Sequence, residues 1–179
     1  VTGQRITPGG RAEVGLFAWA FARISGRVTG TKPPKLFLTM ARRPRLFRGW
    51  LRFAARLMPG GTLPRRDTEL VILRVAHVRE CAYEFEHHRR LGARAGVGAG
   101  DLRRIQAGPD DPGLTPRERA LLNAVDVLLA QRDLDDDSWA DLRAHLDEPS
   151  AIEFLLLVGH YDMLATFLNT LRITPDEPR

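Results

Sequence analysis

Apolar positions along the chain recur at three- and four-residue spacing almost throughout, and the strict alternation expected of a half-buried strand is nearly absent. The pattern predicts an all-α fold. Val14 to Ile24 reads as a first helix, Gly30-Thr31-Lys32-Pro33-Pro34 as a connector, and Leu36 to Ala41 as a short helix stopped before Pro44. Pro44 suits the first turn of a helix with Phe47, Trp50, Leu51, Ala54, Leu57 and Met58 on one side, and Pro59-Gly60-Gly61 ends it.

Asp67 or Thr68 is positioned to cap a helix running through Val71, Leu73 and Val75 toward Arg79, and a further helix carries a histidine pair until Gly96. A short helix over Asp101 to Gln106 precedes the loop from Gly108 to Gly113. Thr115-Pro116-Arg117-Glu118 then combines a capping hydroxyl, a first-turn proline and the glutamate of a capping box. Ser138 with Asp141 opens another helix, and Pro149 or Ser150 opens a long last one through Phe154, Leu157, Tyr161, Leu164, Phe167 and Leu171.

A chain of 179 residues with 44% hydrophobic content suffices for one domain with a substantial core. The expected division is an N-terminal helix and connector over 1–35 and a helical core over 36–172. No run of about 18 apolar residues occurs, because Gly159, His160 and Asp162 interrupt the stretch after Leu155. The expectation is therefore no membrane partner, and with no secretory leader evident, a cytoplasmic location. One cysteine makes no internal disulfide, which fits a reducing compartment.

The net charge of +5 comes almost wholly from arginine, Lys32 and Lys35 being the only lysines. The positive charge gathers between Arg5 and Arg56, and acids gather after Asp133. Without a nucleic-acid motif or interleaved aromatic residues, the basic part is read as a solvated helix face or a subunit contact, with no nucleic-acid partner.

Candidate chemistry concentrates between Glu69 and His88. On a helix beginning near Cys81, residues three, four and seven apart share a face, which would line up Cys81, Glu84 and His88. Glu69, on the preceding helix, can approach the same place. A thiol near a histidine at a helix start is a possible nucleophile, but a carboxylate one turn away disfavours the thiolate, and a lone cysteine is often simply buried. Glu84 and His88 could equally be a surface pair; with Glu69 they make an acid–base group. Glu84 and His87 have the Glu-x-x-His spacing of di-iron bundles, but the second copy such a site needs is missing, so neither metal nor cofactor is expected.

These residues resemble the alkylhydroperoxidase D and carboxymuconolactone decarboxylase superfamily. Its peroxidase motif has a glutamate, a Cys-x-x-Cys beginning twelve positions later, and a histidine four beyond the second cysteine. Glu69, Cys81 and His88 fit, and Glu84 replaces the second cysteine. Arg43-Pro44, Gly61-Thr62-Leu63-Pro64 and Gly96-Val97-Gly98 also resemble the family, over roughly residues 36 to 172. The resemblance implies an all-helical fold and a homo-oligomer, either a dimer, a trimer or a hexamer, with its pocket near a subunit contact.

The family's peroxidases use two thiols, so with Glu84 in place of one, dithiol turnover is chemically closed and a sulfenate at Cys81 needs an external thiol. Tyr83-Glu84-x-x-x-His88 resembles the decarboxylase-like branch. The leading expectation is a cofactor-independent enzyme whose Glu84 and His88 relay a proton on a small carbonyl acid or lactone. In it Glu69 orients His88, Tyr83 donates a hydrogen bond to the substrate and Arg74 holds a carboxylate. The alternatives are a single-cysteine alkylhydroperoxidase of peroxiredoxin type acting through Cys81, and a non-enzymatic helical oligomer that binds through Phe47, Trp50 and Phe53.

Overall fold

The computed structural model describes residues 3–179. Its regular elements are helices: α1 (Arg11–Thr29), α2 (Lys35–Met40), α3 (Pro44–Leu57), α4 (Arg65–Val78), α5 (Ala82–Arg94), α6 (Ala99–Ala107), α7 (Pro116–Gln131), α8 (Asp136–His145) and α9 (Glu148–Leu171). Among the described residues there is no strand, only an isolated bridge between Thr31 and Pro178.

The predicted helices are all present, with ends set by local chemistry. Thr115 caps α7, its side chain accepting from the Glu118 N–H, while Glu118 reaches back to the Thr115 N–H. The start of α4 differs from expectation: the helix begins at Arg65 after Pro64 with no side-chain cap. Asp67 instead accepts from Arg117, and the Thr68 hydroxyl donates to the Pro64 carbonyl. In α8 and α9 the capping groups are Asp135 and Asp147, which accept from Ser138 and Ser150, so the helices start a few residues earlier than the sequence pattern alone indicates. The first helix extends beyond Val14–Ile24 and is broken at Gly15, where φ is 79°.

The architecture centres on α4, which packs against α5, α7, α9 and α6. Every residue from Asp67 to Ala76 is buried. A helix buried all round presents its polar groups to other protein groups, so Glu69 and Arg74 need partners built from neighbouring helices. Val71, Ile72, Val75, Leu121, Val125, Phe154 and Leu157 form the main core around it. Ile72 is fully buried, and cutting it to alanine would cost about 2–5 kcal/mol.

The aromatic set proposed from sequence as a binding face divides in three. Phe47 is buried with Val14, Ala18 and Ala41, Trp50 is half-buried at a cavity, and only Phe53 is exposed. α9 is long and apolar enough to cross a membrane, unlike the expectation from uninterrupted runs, and half of its most apolar window is packed inside the helical core. Beyond α9 the chain returns across the molecule: the Lys32 N–H donates to Glu177, the Arg179 N–H donates to Gly30, and Asp176 accepts from the Lys35 N–H.

Candidate active site

Glu69 lies one turn into α4 and is wholly buried, with His88 of α5 opposite. His88 Nδ1 is 2.8 Å from Glu69 Oε2. A buried carboxylate favours the tautomer with the proton on Nδ1, which leaves Nε2 as the nitrogen available to the cavity. Arg65 Nη2 stands 2.6 Å from the other carboxylate oxygen, an ion contact outside hydrogen-bond geometry that supplies the charge balancing Glu69. The His88 ring meets Tyr161 of α9 edge to face, centroids 5.0 Å apart.

Glu84, one turn before His88 on α5, is buried; neither oxygen has a nitrogen or oxygen partner, and the Cys81 thiol is its hydrogen-bonding neighbour. Burial, and then the charge of Asp162, push its carboxyl up to about 8. It is therefore predominantly protonated at neutral pH and can donate. Burial, together with His88 and Arg90, holds half-buried His87 down to about 3.

Glu84, His87 and His88 share a cavity of about 360 Å³ with Tyr83, His160 and Tyr161. Its remaining wall is apolar and aromatic, from Phe21 and Leu36 to Phe37, Trp50, Met58 and Leu164. A largely apolar pocket with a few convergent polar groups is the usual form of a small-molecule site.

Three sequence-predicted site residues take other positions. Cys81 is not on the helical line with Glu84 and His88, because it is the residue before α5, with φ −90° and ψ 87°, following Glu80 at φ 51°. It does not line the cavity, and its thiol is packed in the core at 1% exposure. Burial, then the neighbouring Glu84 charge, push that thiol up to about 12.

Arg74 is also away from the cavity. It donates to both carboxylate oxygens of Asp126 and to the carbonyls of Ile105 and Gln106. Gly108, at φ 102°, passes so close to this guanidinium that a Cβ there would meet Nη2 at 2.9 Å. Arg74 is therefore a buried structural clamp rather than a carboxylate holder. Tyr83 lines the cavity with its ring, but its hydroxyl donates to Asp176 at 2.6 Å and accepts from the Leu36 N–H, so it is not free for a ligand.

Sequence reasoning missed His160 and Tyr161 as cavity residues, and of the proposed aromatic binding set only Trp50 lines the cavity. The one signal in the sequence is the break in apolar character at Gly159-His160 within α9.

Residues 44–127 match the carboxymuconolactone decarboxylase family, a span holding Glu69, Cys81, Glu84 and His88 but not His160. No curated protein matches the chain. Among solved structures, an uncharacterized peroxidase-related protein from Ralstonia eutropha, an alkylhydroperoxidase AhpD core, superposes with a TM-score of 0.83 at 18% identity, covering 96% of this chain and 92% of that one. A protein of unknown function from Agrobacterium tumefaciens, provisionally assigned to antioxidant defence as an AhpD protein, gives 0.68 at 22% identity, covering 74% and 91%. The debrominase Bmp8 gives 0.80 at 17% identity, covering 98% and 94%. At these identities the likeness is one of fold.

Proposed function

The chain belongs to the carboxymuconolactone decarboxylase family, and on that basis we propose that it is a cofactor-independent acid–base enzyme acting on a small carbonyl compound such as a lactone or cyclic ketone. The observation that carries this reading is that His88, hydrogen-bonded to buried Glu69, and the Glu84 carboxyl, protonated at neutral pH, line one apolar cavity.

His88 Nε2 takes a proton from the carbon next to the substrate carbonyl. The C–H electron pair becomes the enolate π bond and the carbonyl oxygen takes the negative charge. Glu69 offsets the positive charge that develops on the imidazole, and the Glu84 O–H donates to the enolate oxygen. Return of the proton at another carbon completes an isomerisation.

The rival is thiol chemistry, suggested by neighbours that include an AhpD protein and a debrominase whose cysteine-to-alanine variant was solved with 2,3,4-tribromopyrrole. Cys81 gives it little support. A thiol pushed up to about 12 and buried is almost entirely protonated, and the thiolate is the nucleophile.

The test is deuterium uptake from heavy water by a panel of lactones and cyclic enones, read by NMR. Exchange that depends on the enzyme and falls by about two or more orders of magnitude in His88→Gln supports the relay. Exchange unaffected by that substitution, or absent across the panel, withdraws it.

A further inference from the structure

Every polar group lining the cavity is a carboxyl, an imidazole, a phenol or an indole, and none of the lining residues is Arg or Lys. Arg65 is paired with Glu69 and Arg90 with Glu86. An anionic ligand would enter a largely apolar space beside Glu84, with no arginine or lysine on the wall to meet it. The carboxylate-bearing substrate expected from sequence depended on Arg74, and Arg74 is not there.

Three of the lining side chains also carry polar atoms left without partners. His160 is 4% exposed and its Nδ1 has none, Trp50 Nε1 has none, and neither Glu84 oxygen has a nitrogen or oxygen partner. Buried polar atoms are normally satisfied, so such a set within one cavity describes the hydrogen-bonding complement of a ligand. Aromatic rings make up much of the wall. The His160 and Trp50 rings are nearly parallel with centroids 5.8 Å apart, and Phe37 stands 5.9 Å from Trp50. A volume of about 360 Å³ is near the lower end of ligand pockets and admits one or two rings.

We infer that the cavity selects an uncharged, ring-sized substrate, whose carbonyl or hydroxyl group is met by Glu84 and His160, and that it disfavours carboxylates. The inference deepens the acid–base reading by naming the substrate class of that site, and it assigns His160, outside the family-matched span, as a substrate-binding residue. Burial and the nearby His88 hold His160 down to about 4, so at neutral pH its imidazole is uncharged and able either to accept or to donate.

The test titrates the protein at pH 7 with benzamide and benzoate, which share ring and shape and differ in charge. The indole N–H signal of Trp50, assigned with Trp50→Phe, reports binding in this cavity. Expected is a shift of that signal with benzamide and an affinity about tenfold or more above that for benzoate. His160→Phe, which keeps an aromatic ring and removes both nitrogens, should weaken benzamide by about tenfold while circular dichroism stays unchanged. Benzoate binding equally well or better, or no shift with either compound, overturns the inference, as does unaltered benzamide binding in His160→Phe. Since the readout is binding by the native protein and not proton exchange, its outcome is separate from that of the relay's own test.

Discussion

His88 Nδ1 and Glu69 Oε2, 2.8 Å apart on helices α5 and α4, form a hydrogen bond between two side chains shut away from solvent. The pair joins residues 19 apart in sequence, and it exists because α4 and α5 pack along their lengths with Glu69 in the first turns of one and His88 midway along the other. The bond decides which imidazole nitrogen faces the cavity, so it can be tested apart from the imidazole itself.

Glu69→Gln preserves shape and removes the charge. The amide can face Nδ1 with either its oxygen or its NH2, so the imidazole loses its fixed tautomer and the charge that supports protonation. Proton exchange at substrate carbon should fall by about 10²- to 10⁴-fold, as when the carboxylate orienting a catalytic histidine is neutralised. A thermal melt near that of the native protein would show that the loss is chemical; unchanged exchange would remove Glu69 from the mechanism.

Cys81 should behave as an inert core residue. In the native protein it should react with a thiol reagent only as fast as the chain opens, and in urea at the rate of a free cysteine. Cys81→Ala should cost about 1 kcal/mol and leave proton exchange intact, and organic hydroperoxide with an external dithiol should be consumed no faster than without protein. Rapid labelling of the folded protein, with hydroperoxide turnover lost in the variant, would revive the peroxidase.

The helices were legible because their signals are local. Thr115-Pro116-Arg117-Glu118 carries a complete start within four residues, and the apolar spacing of α4 and α9 survives in any context. The Glu69, Glu84 and His88 combination was legible for a similar reason, since their separations put them on facing helices. What failed depended on single-residue geometry or on distant contacts. Cys81 shares the spacing but precedes the helix, and one non-helical residue takes its side chain off the shared face. Arg74 reads the same whether it faces a substrate or Asp126, because the partner lies 52 residues away. His160 reaches the cavity only through the packing of α9 against α3 and α4, which periodicity does not specify.

Arg74 should therefore matter to stability and not to chemistry. Arg74→Met leaves Asp126 and the carbonyls of Ile105 and Gln106 without their donor, and should cost about 2–4 kcal/mol in urea unfolding, somewhat less than for a fully enclosed pair because Asp126 is partly exposed. Asp126→Asn together with Arg74→Met should cost less than the sum of the two single changes. A normal melt with lost turnover would place Arg74 back at the substrate.

Glu84 makes a prediction whose sign is fixed by its environment. Its carboxyl titrates near 8 in the folded chain against 4.5 for an ordinary glutamate, so below about pH 4.5 both states hold the proton and the group does not oppose folding. As pH rises from there toward 8 the unfolded chain releases a proton that the folded chain keeps, and stability falls; above 8 the loss is complete. Other carboxylates act oppositely: Arg89 and Arg90 hold Glu86 down to about 2, a contribution lost on acidification rather than on raising the pH. The comparison must therefore be between variants and not between pH values alone. Glu84→Gln should be close to the native protein at pH 4 and more stable by about 2–4 kcal/mol at pH 8, measured by urea unfolding. If the relay uses the Glu84 proton, native turnover should also decline above pH 8. Parallel stability curves for the two proteins between pH 4 and pH 8 would mean that Glu84 is ionised in the fold, and both its donor role and the enolate stabilisation assigned to it would fall.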